Sequence, residues 1–107
     1  MVSFEDAYAR ATAEQGLLPA LNTLRAHGIH AVAENTGGWC MVLFVNGPDG
    51  RCVGITAGDV WEPDYHTDGY LVMGYTNEAG VYEGDGDTLA ERAQPAELPA
   101  LVRGWLK

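Results

Sequence analysis

The spacing of apolar positions changes twice along the chain. From Phe4, through Tyr8 and Ala11, to Gln15 the pattern is helical, and Ser3 with Asp6 three residues on makes a capping-box-like start. Gly16 weakens this helix. Leu17-Leu18-Pro19 reads as a restart, since proline is tolerated in a first helical turn. Leu17, Leu21 and Leu24 share one face, and Gly28 is a natural terminator. The spacing predicts helices over residues 4–15 and 18–27.

Beyond Gly28 the period drops to that of a strand. Residues 29–33 form a short candidate. Residues 39–45 form the strongest one, rich in aromatic and β-branched side chains. Asn46-Gly47-Pro48-Asp49-Gly50 is hairpin-turn chemistry, and residues 51–56 return from it. Residues 70–76 make a further strand, Asn77-Glu78-Ala79-Gly80 a turn, and residues 81–83 a brief return. Asp87 is expected to cap a short helix reaching Ala93. Leu98, Leu101, Val102, Trp105 and Leu106 then mark an amphipathic C-terminal helix. The order predicts an α+β domain: an antiparallel β-meander of four to five strands packed with N-terminal helices and a C-terminal amphipathic helix.

The central strands carry an inference. Cys40, Val42 and Phe44 alternate with Trp39, Met41, Leu43 and Val45, and both sets are apolar. Leu71, Met73 and Tyr75 alternate with Tyr70 and Val72 in the same way. A sheet with one solvated face alternates apolar with polar. The helices cover one face, so the expectation is that a second copy, a partner protein or the chain's own long loop covers the other.

Composition sets outer bounds. A chain of 107 residues, 47% of them hydrophobic, fits one domain with one core. The N-terminus lacks a basic start followed by an apolar stretch, and the apolar run at Trp39 to Val45 is far short of the roughly 20 residues of a membrane helix. A soluble, cytoplasmic protein is expected. Cys40 and Cys52 form no CxxC and no disulfide framework. Cys40 lies in the most apolar strand and reads as core packing rather than as a nucleophile. A hairpin that pairs Val45 with Cys52 would set Ala57 against Cys40, so the thiols are not cross-strand partners, and Cys52 is expected to be half exposed.

Charge changes the picture most. Fifteen acids face six Lys and Arg, for a net charge of −9. Between Arg51 and Arg92 there is no Lys or Arg, while nine acids fall there. Such a surface repels nucleic acid and anionic lipid and favours a basic protein partner. Within that stretch, residues 58–69 show no helical or strand period, and a loop this long inside a compact domain is often functional. It places Trp61, Glu62, Asp64, Tyr65, His66 and Asp68 together: aromatics for short-range contact, acids for steering. The plain alternative is that Trp61 and Tyr65 fold back onto the sheet. Asp64-x-His66-x-Asp68 has the spacing of ligands on one side of an extended segment, but one His in a very acidic chain is a weak metal signal. Glu83-Gly84-Asp85-Gly86-Asp87 begins like a calcium loop, then has Thr88 where glycine is required and Gln94 where glutamate is. No phosphate-binding, dinucleotide, hydrolase-elbow or zinc-protease motif occurs. The sequence designates no catalytic residue, no metal site and no cofactor.

Gly37-Gly38-x-Cys40, the apolar strand, Val53-Gly54-Ile55-Thr56 and Val72-x-Gly74-Tyr75 before an acidic Gly-rich turn resemble the small acidic proteins, uncharacterised in function, of actinobacteria and their phages. The resemblance spans about half the chain, from Gly37 to Gly86. It implies a mobile-element setting, and with it a small protein that disables or redirects a host factor; it carries no catalytic residue over. The leading expectation is a non-enzymatic, acidic protein-interaction domain. A nucleic-acid mimic in a basic groove is one form, and a chaperone or immunity-type protein is another. A homodimer is a further way to cover the second face. The alternative is a small-molecule- or metal-binding protein, or an enzyme, that uses His66 with Asp64 and Asp68.

Overall fold

The computed structural model describes residues 4–35, 41–57, 69–77, 80–81 and 86–106. Helices α1 (Phe4–Glu14) and α2 (Leu18–Ala26) precede five strands: β1 (Val32–Asn35), β2 (Met41–Asn46), β3 (Cys52–Thr56), β4 (Tyr70–Tyr75) and β5 (Asp87–Ala93). A 3₁₀ turn (Pro95–Glu97) leads into α3 (Leu98–Leu106). The strands pair antiparallel in the order β1-β2-β3-β4-β5, an uncrossed meander. This is the α+β architecture expected from the sequence. No helix among the described residues is long and apolar enough to cross a membrane.

Both N-terminal helices end the same way. Gly16 (φ +75°) and Gly28 (φ +73°) take the left-handed conformation after their last turns. The Gly16 and Leu17 amides donate to Ala13 and Thr12 carbonyls; those of Gly28 and Ile29 donate to Arg25 and Leu24. These pairs are Schellman closures. The second one explains why β1 starts at Val32 rather than at Ile29: the Ile29 amide belongs to the end of α2.

The helices pack on one face of the sheet, α1 against β1 and β2, α3 against β3 and α2. Leu17, Leu24, Leu43, Val53, Ile55, Val72 and Leu98 are fully buried between the layers. Each such side chain contributes about 1.5–3 kcal/mol relative to exposure. Two polar contacts fix the layers. The Met41 amide donates to Gln15 Oε1 at 2.8 Å, and the Tyr70 hydroxyl donates to the Gly16 carbonyl at 2.6 Å. Burial raises the Tyr70 pKa above 10.0, against a smaller opposing contribution from a backbone hydrogen bond at Ala20.

Four expectations are corrected. Residues 87–93 are a strand, not a helix. The pairing of β5 with β4 is interrupted by two register shifts, so that Ala90 lies opposite Val72 and Ala93 opposite Tyr70. The irregularities set core-facing residues three apart, which mimics a helical period. Val81, expected to open a brief strand, is helical together with Gly80, whose amide donates to Asn77 Oδ1 at 2.9 Å. The β2–β3 hairpin pairs Asn46 with Cys52 and Val45 with Val53. That one-residue slip turns Cys52 away from the helices and puts Val53 and Ile55 beneath them. Finally, Cys52 is buried, at 4% exposure, not half exposed. Ser3 and Cys40 lie outside the described residues.

Candidate functional site

The register separates two faces. Met41, Leu43, Val45, Val53, Ile55, Tyr70 and Val72 point at the helices and belong to the core cluster. Phe44, Gly54, Met73 and Thr88 lie side by side on the opposite face, joined by Cys52, Thr56 and Tyr75. Phe44 and Cys52 are buried, yet neither belongs to that cluster. They line a cleft of about 700 Å³ on this second face. Its apolar lining includes Val42, Phe44, Met73 and Val81; its polar lining includes Glu34, Asn46, Arg51, Thr56 and Tyr75. Large apolar exposure elsewhere is slight: among the described residues only Leu18 (42%) and Val32 (38%) stand out. The second face is therefore a concavity rather than a broad apolar plate.

Glycines shape it. A Cβ on Gly54 would lie 3.3 Å from Phe44 Cε1 and 3.3 Å from Tyr75 Cε2, so two rings converge where the central strand has no side chain. On the other side of Tyr75, a Cβ on Gly86 would lie 2.5 Å from Tyr75 Cε1. The Tyr75 ring thus sits between two glycines, one in β3 and one just before β5. Glycine inside a strand marks close approach by another group, and here that group is an aromatic ring. The Tyr75 pKa is raised, first by burial and then by an electrostatic contribution from Cys52 directly across the strand pair, so the phenol is neutral at physiological pH.

The two tyrosines of β4 differ in use. Tyr70 commits its hydroxyl to the Gly16 carbonyl. The Tyr75 hydroxyl makes no hydrogen bond to a described residue, and among the described residues no buried side-chain polar atom lacks a partner. The Thr56 hydroxyl, the Asn46 amide and the Glu34 carboxylate likewise carry no protein partner among the described residues. Arg51, the cation in the lining, is engaged. Its Nη1 donates to the Trp105 carbonyl at 3.2 Å, its Nε lies 3.7 Å from Asp49, and its guanidinium stands 5.6 Å from the Trp105 ring centre. The cleft offers an aromatic wall and hydrogen-bonding groups without committed partners. Its described lining contains Cys52 but no histidine.

The residues singled out in the acidic loop, Trp61, Glu62, Asp64, Tyr65, His66 and Asp68, lie outside the described residues. So do Glu83, Gly84 and Asp85. Asp87 opens β5 and is exposed rather than capping a helix. Among the described residues no group of three His, Cys, Asp or Glu could hold a metal ion. Sequence reasoning missed Tyr75 and its glycines as a site. Their signal was present in the doubly apolar strands and in Gly54, a glycine placed inside a strand pattern. Comparison with protein-family models, curated proteins and solved structures found no match.

Proposed function

We propose that this chain is a non-enzymatic binding domain that holds a basic partner protein, and that the cleft on the second sheet face receives a side chain of that partner. The observation that carries this reading is the cleft itself: a concave, partly aromatic site on the face left open by the helices, with hydrogen-bonding groups that no described residue uses. The net charge of −9 supports a basic partner, because the field of nine acids between Arg51 and Arg92 steers positive surfaces toward the domain. A mobile-element protein that disables or redirects a host factor is one form such a domain takes.

The volume of the cleft favours a second reading, a small-molecule-binding protein, since about 300–1,000 Å³ is the usual span of such sites. One experiment addresses both. Thr56 lines the cleft, and Thr56→Trp fills it while keeping a strand-forming residue. Affinity capture with the wild type, with Thr56→Trp and with the control Leu18→Arg, on exposed Leu18, is expected to lose the partner only in Thr56→Trp. Equal capture by all three would refute the reading. A native mass spectrum showing a small adduct in the wild type and none in Thr56→Trp would support the small-molecule reading instead.

A further inference from the structure

We infer that the cleft recognises a guanidinium group, so that the side chain it takes from a basic partner is an arginine. The inference rests on the proposed binding role and specifies its chemistry.

The argument begins with the balance of charge in the lining. Glu34 contributes a carboxylate with no cation beside it among the described residues. Arg51, the cation of the lining, is held by Asp49, the Trp105 carbonyl and the Trp105 ring. With Arg51 paired to Asp49, the Glu34 carboxylate leaves one negative charge at the site, within a chain whose net charge is −9. An anionic ligand would be repelled twice, locally and at distance.

Ring and acceptor chemistry then separates guanidinium from other cations. The Phe44 and Tyr75 rings meet over Gly54, and Gly86 leaves the space that keeps Tyr75 there. A planar, weakly hydrated guanidinium stacks on aromatic rings, while a compact ammonium holds its water more strongly. Glu34, Thr56, Asn46 and the Tyr75 hydroxyl all supply acceptor oxygens, and none is engaged by a described residue. Five N–H donors fixed in one plane suit a lining whose unengaged polar groups are acceptors.

The test is a heteronuclear NMR titration of the whole chain with three acetylated, amidated tripeptides, Gly-Arg-Gly, Gly-Lys-Gly and Gly-citrulline-Gly. The arginine peptide is expected to give saturable shifts at Glu34, Gly54, Thr56 and Tyr75, with the lysine peptide several-fold weaker and the uncharged citrulline peptide silent. Glu34→Gln should weaken the arginine peptide about three- to fivefold, the upper part of the range of an exposed charge pair. Tyr75→Leu should weaken it about fivefold or more, with the amide spectrum confirming the fold. Glu97→Gln, on the exposed 3₁₀ turn away from the cleft, should change nothing. Equal response to citrulline, shifts spread over the acidic surface instead of the cleft, or no response would overturn the inference. Its failure is distinct from failure of the binding role. If Thr56→Trp abolishes partner capture while the arginine peptide is silent, the binding domain stands and the guanidinium does not. If capture survives Thr56→Trp while the peptide response stays confined to the cleft, the site for guanidinium stands and the partner-holding role does not.

Discussion

Replacing Gly74 with alanine tests how the C-terminal helix is seated on the sheet. A Cβ at this position falls 2.5 Å from Cε2, 2.6 Å from Cδ2 and 3.0 Å from Cζ2 of Trp105. Carbon atoms in good contact sit about 3.5–4.0 Å apart, so the indole must withdraw by about 1 Å. It is not free to do so. Its Nε1 donates to the Tyr75 carbonyl at 3.1 Å, and its ring lies beneath the Arg51 guanidinium, which also bonds the Trp105 carbonyl. Overpacking costs about 1–3 kcal/mol, a hydrogen bond contributes about 1 kcal/mol, and an exposed cation–π contact about 0.5–1 kcal/mol. Stiffening of the unfolded chain by alanine offsets about 0.4–1 kcal/mol. The expected net loss is about 2–4 kcal/mol, or a midpoint lowered by about 10–20 °C in a domain of this size. Thermal and urea unfolding measure it. The decisive control is a double-mutant cycle with Trp105→Leu, which removes the ring that the methyl group strikes. In that background Gly74→Ala should cost less than 1 kcal/mol or stabilise slightly. An equal penalty in both backgrounds, or no penalty in the wild type, would refute the account.

Two further contrasts follow from the same structure. Gly28 and Gly69 both have positive φ, but a Cβ at Gly28 meets nothing within 4 Å, whereas at Gly69 (φ +96°) it meets the Arg92 carbonyl carbon at 2.7 Å and the Ala93 oxygen at 2.8 Å. Gly28→Ala should therefore lose about 1 kcal/mol in urea unfolding, the conformational penalty alone, and Gly69→Ala about 3 kcal/mol or more, because backbone cannot step aside. Tyr70→Phe should lose about 1 kcal/mol at neutral pH through the missing bond to Gly16. The native pKa of Tyr70 lies above its unfolded value of 10.0, so its protonated form stabilises the fold fully below pH 10 and that contribution fades as pH rises through the native pKa. The alkaline decline in stability should accordingly be shallower in Tyr70→Phe than in the wild type.

The helices and strands β2, β3 and β4 were legible because each announces itself locally, whereas β1 begins three residues beyond the start its spacing suggested. Gly16 and Gly28 end helices by a conformation that the residue type favours, and the apolar runs around Leu43, Ile55 and Val72 leave no helical reading. β5 was not legible. Its Leu89, Ala90 and Ala93 follow a spacing that a straight strand would not use, and only the bulged pairing with β4, a tertiary fact, makes them a strand. The hairpin register was equally hidden, since its turn composition allows more than one pairing and a one-residue difference decides which way Cys52 faces. The second apolar face was visible in alternation, but the cleft was not. It depends on Gly54 in β3 and Gly86 before β5 lying on either side of Tyr75 in β4, and sequence distance conceals that adjacency.

The missing side chains at Gly54, Gly74 and Gly86 bear on inheritance as well as on packing. Residue 75 works on both sides of the sheet, its ring held between Gly54 and Gly86 and its carbonyl holding the indole that lies on Gly74. Each of these glycines is adjacent to an aromatic ring that would have to move if even a methyl group were added, and two of the three separations are shorter than 3.0 Å. Mutation can exchange the surface acids freely at little cost to the fold, but it reaches these three positions only together with the rings they admit. Packing alone should therefore keep a sparse pattern in descendants of this chain: glycine, glycine-tyrosine, glycine and a distant tryptophan, at the spacing of residues 54, 74–75, 86 and 105.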